Sequence, residues 1–525
     1  METKKLLIAL GCLAALALAA FGIFSACENP ENAAGSSPSD PFADEEYGED
    51  WEWPELAELT LNHTTLTLAS GDEETLVAMI DGESAEAWWT SNKPATVSVE
   101  DGKVTALGQG TARIKATAKT SGQTAECAVT VKVAAAGLYR NDEALPKNLT
   151  DTAGTTILDK AFAWIKANND TEGTEYTIVL NKDIDVATGF NIGTGAGASS
   201  STGNDANDKG LTVTLLGLDE TRTVTKTDTG ALFTVYGSTD DSDIPHLILG
   251  ENITLKGYSS NNKALVAVGD TSTSKLGKLT MKDGSRITGN TTSATTGGGV
   301  YVATGLFNME GGTIDANAST PSGGHGGGVN FNGGSFLMTG GLIENNVAGN
   351  TSNSSNAFGG GVYVGANPAG TLTMSGGIIR ENRALAPGTS NSQGGGVYAK
   401  YFTMDGGSVL QNTAVIGGGI SIAASGTFSV TDGVIAGNTA SKKGAAFMLY
   451  SNGTFEKTGG VIFGTMAAGE NANWSGSEGI NVHSIEIANS LKAYYDDTHD
   501  AAMGTLSIII TSSIAGSVGQ WSIIP

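Results

Sequence analysis

The sequence predicts an all-β chain: a small β-sandwich followed by a parallel β-helix with an N-terminal helical cap. Three observations carry this prediction. A glycine-led phrase recurs along residues 279–464 at the period of a solenoid. Short alternating strands punctuated by hairpin signals fill residues 57–133. One amphipathic helical pattern stands between the two.

The repeat is the most informative stretch. Gly-Gly-Gly-Val-Tyr-Val stands at 297–302 and returns with changes at 326–331, 359–364, 394–399 and 417–422, and in decayed form at 444–449. A second phrase begins at Leu306, Phe336, Leu372, Phe402 and Phe428, with an earlier copy from Leu279. Within Val300-Tyr301-Val302 the alternation has period 2, so the valines share one face and the tyrosine takes the other. Glycine pairs permit tight corners, and the insertions at 350–358 and 386–393 fall between units, where surface loops tolerate them. A chain that turns after each short strand, and repeats, coils so that its strands pair with the next coil about 4.8 Å away. The pattern Ile-x-x-Asn, or Val in place of Ile, ends at Asn290, Asn317, Asn346, Asn382, Asn412 and Asn438. Stacked coils set these amides in register as a structural ladder, each donating to and accepting from its neighbour.

The glycine pairs followed by Ile-x-x-Asn resemble the repeats of polymorphic outer-membrane and autotransporter passenger proteins. The longer Gly-Gly-Gly-Val-Tyr form is similar to β-helix repeat lipoproteins of spirochaetes and gut bacteria. What the resemblance implies is a right-handed coil.

At the amino terminus, Lys4 and Lys5 precede an apolar run from Leu6 to Phe24, the form of a signal peptide over residues 1–26. It ends in Phe24-Ser25-Ala26-Cys27, which resembles the bacterial lipobox, with Phe24 in place of the commoner Leu. The resemblance implies cleavage before Cys27 and its lipidation, which holds a protein stably at a membrane surface. Residues 27–56 read as an acidic tether carrying Trp51 and Trp53. Cys12 leaves with the signal peptide and Cys27 takes the lipid, so Cys127 stands alone and no internal disulfide is expected. The net charge is -25, which argues against direct binding of nucleic acid or of anionic headgroups.

In residues 57–133, Leu59-Thr-Leu61, Leu66-Thr-Leu68, Thr96-Val-Ser-Val99 and Val104-Thr-Ala-Leu107 alternate, and Asp101-Gly102 marks a hairpin. The series from Trp89 through Val97, Val99, Gly102, Val104 and Ala106 to Gly110-Thr-Ala112 resembles the group 2 bacterial immunoglobulin-like domain. The resemblance implies a sandwich with Trp89 in its core and Trp88 facing outward, in a domain that serves as a spacer or binding module at cell surfaces.

Residues 134–155 read as a linker. Leu158, Phe162 and Ile165 then line one face of a helix suited to close the open first coil of the unit spanning 156–525. The stretch 193–209 reads as a loop. Beyond Gly464 the repeat fades into strands near 485–487 and 506–510, with 493–500 as a loop or terminal cap. This tail is too short for a membrane barrel, so a lipid is the expected anchor.

Parallel β-helices include polysaccharide lyases and hydrolases, so paired carboxylates deserve inspection. Asp315 and Glu344 fall near the same corner on successive coils and are the candidate catalytic pair; Arg380 and Leu410 take the equivalent place in the next two coils. Glu381 and Arg383 lie nearby. His63, His246, His325, His483 and His499 show no metal-ligand spacing, and no metal or cofactor is expected. The composite expectation is a monomeric, non-catalytic protein anchored in the cell envelope, at the outer membrane and surface-exposed. Its expected partners are the membrane, through the Cys27 lipid, and glycans or host and cell-surface proteins. A polysaccharide-degrading enzyme and an antigenically variable structural protein are the alternatives.

Overall fold

A computed structural model describes residues 58–462 with breaks at 70, 95, 108–109, 133–135, 141–142, 145–154, 169–172, 194–209, 238–243, 273, 353–354, 366–369, 387–390 and 451–452. Beyond 462 it describes short strands at Trp474–Ser475, Ile485–Ile487, Leu491–Lys492, Ile508–Thr511 and Ser522–Ile523. The signal peptide, Cys27, Trp51, Trp53, His483, His499 and the 493–500 segment lie outside the described residues.

The first body is a β-sandwich. Thr65–Ala69, Thr124–Lys132, Gly110–Ala118 and Ala87–Ser91 form one sheet. Leu59–Leu61, Ala78–Ile80 and Glu83–Ser84 form a second, and Glu73–Thr75, Lys103–Ala106 and Val97–Glu100 a third. Alternation buries one side of each strand: Ala112, Ile114 and Ala116 meet Cys127, Val129 and Val131, with Val97 and Val104, in a single core. Trp89 packs against that core, whereas Trp88 on the same strand is 59% exposed. Asp101 and Gly102 both have positive φ and join Val97–Glu100 to Lys103–Ala106 as an antiparallel hairpin. Cys127 is a free, buried thiol, and burial pushes its pKa up.

The second body is a parallel β-helix. Its repeating coil is clearest from Gly305: a first face at Gly305–Met309, a second at Thr313–Asp315, a corner at Asn317, a short fourth strand at Ala318–Ser319, then the glycine triplet and a third face at Val329–Phe331. The next coil repeats each element in parallel register, Phe307 on Phe336, Ile314 on Ile343 and Val329 on Val362. The interior is therefore a set of like-on-like columns. Phe307 stacks on Phe336 at 4.5 Å and Phe402 on Phe428 at 5.2 Å, all buried. Each buried phenylalanine contributes roughly 2–3 kcal/mol of transfer free energy. The core is continuous from Leu138 to Ile462.

Both ends are closed. The helix Ile157–Asn168 starts with a reciprocal cap, in which the Asp159 amide donates to Thr156 Oγ1 at 3.1 Å and the Thr156 amide to Asp159 Oδ2 at 2.8 Å. Its buried side (Ile157, Leu158, Ala161, Phe162 and Ile165) joins the solenoid core, with the Phe162 ring 4.6 Å from that of Phe190. Strand Gly137–Arg140 runs antiparallel to the first-face strand Glu175–Leu180. At the far end, Ile508–Thr511 runs antiparallel to Thr454–Lys457. A reversed strand ends a parallel ladder and blunts the edge that would otherwise recruit another chain.

Candidate functional site

The Ile-x-x-Asn corners build one buried column. Asn317, Asn346, Asn382, Asn412 and Asn438 are at most 1% exposed. Asn346 shows the arrangement: its Nδ2 donates to Asn382 Oδ1 at 3.0 Å and to Ile314 O at 2.8 Å. Its Oδ1 accepts the Asn317 backbone amide at 3.0 Å and Asn317 Nδ2 at 3.2 Å. Every polar atom of the side chain is thereby used within the column, which leaves nothing for a ligand. At Asn290 the side-chain amide turns instead to Lys263 O and Gly298 O, at 2.9 and 2.7 Å. Asn261, buried and outside the Ile-x-x-Asn spacing, ends the column by donating to Asn290 Oδ1 at 2.8 Å. The residue before each ladder asparagine adopts positive φ, as at Ala316, Asn345, Glu381 and Gln411, and this reversal turns the amide inward.

The glycine triplet exists because of this column. In 326–328 the first glycine has φ +57°, and a Cβ on the second would lie 2.4 Å from Gly360 O. A Cβ on the third would meet Asn346 Nδ2 at 2.9 Å. Coil contact, not catalysis, accounts for all three.

Asp315 and Glu344 are register partners on adjacent second-face strands, and Glu344 is in turn paired with Arg380 and Arg380 with Leu410. The structure thus brings the two carboxylates side by side, but gives each to an arginine. Arg286 donates Nε to Asp315 Oδ1 at 2.7 Å and Nη2 to Oδ2 at 2.5 Å, a bidentate pair that holds the guanidinium pKa up. Arg380 donates Nε to Glu344 Oε2 at 2.8 Å. A polar groove of about 440 Å³ runs past Arg286, lined by Asp283, Ser285, Thr254 and Thr313. Among the described residues, no group of three or more His, Cys, Asp and Glu side chains is placed to hold a metal ion.

The other chemically distinctive region is the third face and the edge before it. The third-face column that alternates with the core positions reads Tyr301, Asn330, Tyr363, Tyr398, Ser421 and Met448, of which Asn330, Ser421 and Met448 are buried. The residue just before each of the last four full triplets, His325, Phe358, Gln393 and Ile416, forms a bridged row beside it. His325 stacks on Tyr363 at 4.3 Å, Tyr363 on Tyr398 at 5.4 Å, and Phe358 meets Tyr398 edge-on at 4.8 Å. These rings are half-buried; burial pushes the His325 pKa down and the Tyr363 phenol up, and burial together with Tyr363 pushes Tyr398 up to about 12. The phenols stay protonated and the imidazole neutral at ordinary pH.

The two longest insertions of the repeat, 350–358 and 386–393, leave the coil here, between the fourth strand and the triplet, whereas a shorter one at 365–369 falls between the third face and the next first face; the loops at this edge tie coil to coil. Ser322 Oγ donates to Ser355 Oγ at 2.6 Å, the Asn391 amide to Asn356 Oδ1 at 2.7 Å, and Lys442 Nζ to Asn391 Oδ1 at 2.6 Å. Variable loops beside an aromatic strip on an otherwise uniform scaffold form the arrangement in which repeat proteins place their binding face. The aromatic strip was invisible as a unit in the sequence, because His325 and Phe358 sit in loops of unequal length. Their shared place immediately before the triplet was the available signal.

Residues 56–129 match the family described as bacterial Ig-like domain (group 2). No curated protein matches the chain. Among the described residues no helix is long and apolar enough to cross a membrane. The chain thus contains a bacterial Ig-like domain followed by a β-solenoid, a combination that fits a surface or adhesion-type protein.

Proposed function

We propose that this is a lipid-anchored cell-envelope protein whose loop-bearing edge binds host or neighbouring-cell ligands without turning them over. The observation that carries the reading is that the two longest insertions of the repeat, 350–358 and 386–393, leave at one edge, beside the half-buried strip of His325, Phe358, Tyr363 and Tyr398. The apolar run ending in Ser25-Ala26-Cys27 supports a lipid anchor at the outer membrane, and the Ig-like domain supports a spacer between anchor and coil. A non-catalytic role is supported by the Arg286 clamp on both oxygens of Asp315 and by the Arg380–Glu344 pair, which leave neither carboxylate poised as a general acid or base.

The test is attachment of cells displaying the full chain to mucin and to host cells, with glycan products followed in the same wells. Replacing the 350–358 and 386–393 insertions by the shorter 413–416 connection is expected to reduce attachment several-fold, while Asp315→Ala and Glu344→Ala leave it unchanged. Glycan cleavage abolished by Asp315→Ala would establish the polysaccharide-degrading alternative. Attachment indifferent to both loops would leave an antigenically variable structural protein.

A further inference from the structure

We propose that the sandwich is a dimerisation module: two copies of the chain join antiparallel along the edge strand Ala87–Ser91, so that one sheet runs through both. This sets a dimer where the sequence alone predicts a monomer, and it involves neither the coil nor its ligand.

The strand order leaves Ala87–Ser91 paired on one side only, with Gly110–Ala118. Two flanking bonds fix its phase: the Lys119 amide donates to Glu86 O at 2.9 Å and the Asn92 amide to Arg113 O at 3.1 Å. Alternate residues of an antiparallel strand share one bonding direction. Trp88 and Thr90 therefore turn their amides and carbonyls toward Gly110–Ala118, whereas Ala87, Trp89 and Ser91 turn theirs away from it. Among the described residues no backbone bond takes up those outward groups. Proteins blunt such an edge with charge, proline, a bulge or shortness. The other edges of the sandwich obey: Glu73–Thr75 and Glu83–Ser84 are short and acidic, Leu59–Leu61 is short, and Val97–Glu100 ends in a carboxylate. Thr65–Ala69 is as long as Ala87–Ser91, but Asp72 closes its end, its carboxylate accepting the Ala69 amide at 2.9 Å and its amide donating to Ala69 O at 3.0 Å. Ala87–Ser91 has no charge, proline or bulge, and it carries Trp88, the most exposed large apolar side chain among the described residues.

The occupant that fits this edge is the edge itself. With Trp89 on a two-fold axis, Ala87 lies opposite Ser91 of the second copy, Trp89 opposite Trp89 and Ser91 opposite Ala87, so each outward amide finds a carbonyl. Trp88 then lies opposite Thr90 of the second copy in the closer, non-hydrogen-bonded kind of pair, where an aromatic ring on a β-branched side chain is stabilising. Alternation places Glu86, Trp88, Thr90 and Asn92 on the same face, all exposed in the single chain. Glu86 comes opposite Asn92 of the second copy, one strand from its Arg113, so no like charges meet across the seam. Arg113, held by Glu126 at 3.7 Å, gains a second carboxylate there. A foreign strand would have to bring this alternation with it, whereas a second copy carries it already.

The full chain in mild detergent is sedimented over a concentration series, alongside A87P, W88K, T90K and T67K, the last a control on the other long edge of the same sheet. A87P removes one outward amide and spares the bonds to Gly110–Ala118. The expected result is a reversible dimer whose Kd rises at least about tenfold in A87P, W88K and T90K and stays unchanged in T67K. Thermal melts confirm that each variant is folded; should A87P fail to fold, W88K and T90K, at exposed positions, decide the matter. A chain that stays monomeric at every concentration, a dimer indifferent to W88K and T90K, or one weakened equally by T67K overturns the proposal. A monomer that instead binds a strand-forming peptide of unrelated sequence assigns the edge to a foreign partner, and the proposal also falls. None of these outcomes bears on attachment through the loops of the coil, which is read separately.

Discussion

A single asparagine per coil fixes the corner, and its cost of removal follows from its four bonds. Asn346→Ala strips the acceptor from the Asn317 amide and Nδ2 and the donor from Ile314 O, in a column closed to water. The expected loss is about 3 kcal/mol, read as a drop in the denaturant midpoint of the full chain. Asn346→Asp keeps the acceptor but loses the donor, so it is expected to fall between the two. This column was legible in the sequence because one side chain serves one corner at a fixed offset. Asn261 was not legible, since it enters from a different offset and replaces a missing rung where Tyr258 stands at the Ile-x-x-Asn place; the Tyr258 amide still donates to Asn290 Oδ1 at 3.2 Å. The decayed triplet fits the same logic. Ala446 stands where a third glycine would face the next asparagine, and the sequence has Thr465 at that next place. Residue and partner changed together.

Strands and corners were readable as elements because period-2 alternation and glycine pairs are local signals. Which elements share a face was not, for it depends on how the corners bend; the bridged row from His325 through Phe358 to Gln393 crosses two insertions of unequal length. Asp315 and Glu344 were legible as neighbours, while the Arg286 clamp was hidden because arginine lies two residues off the register position that its guanidinium reaches. The first-face strand His246–Leu249 holds an acid-sensitive element. His246 donates to or accepts from Thr280 Oγ1 at 2.8 Å, beside Lys278 and Lys282, and burial followed by those two charges pushes its pKa down to about 3. Its folded pKa is below the unfolded value near 6.5, so the unfolded chain takes up the proton first as pH falls. The stability it contributes is complete above about pH 6.5 and is lost progressively toward pH 3. His246→Gln is expected to flatten that part of the acid limb in thermal melts; an unchanged limb would assign the acid sensitivity elsewhere.

For the molecule as a whole, like-on-like stacking means that stability is close to a sum over coils and their interfaces. The two closures matter more than their size suggests, because they stop a ladder whose every coil presents the same edge to the next.

The near-identity of the triplets has a genetic consequence. Removal of residues 297–325 puts the second Gly-Gly-Gly in the place of the first, directly after Thr296, and excises one coil, Asn317 and Asp315 included. Asn290 then meets Asn346, and Arg286 falls beside Glu344, so each bond lost at the seam finds a replacement of the same kind. Such a deletion is expected to fold, with a melting transition within a few degrees of the parent, whereas deletion of 305–325 breaks the phase of the faces and is expected to leave the repeat unfolded. Unequal recombination between triplet codons would therefore shorten or lengthen the protein in whole coils, and trade one set of loops for another, without disturbing either terminus.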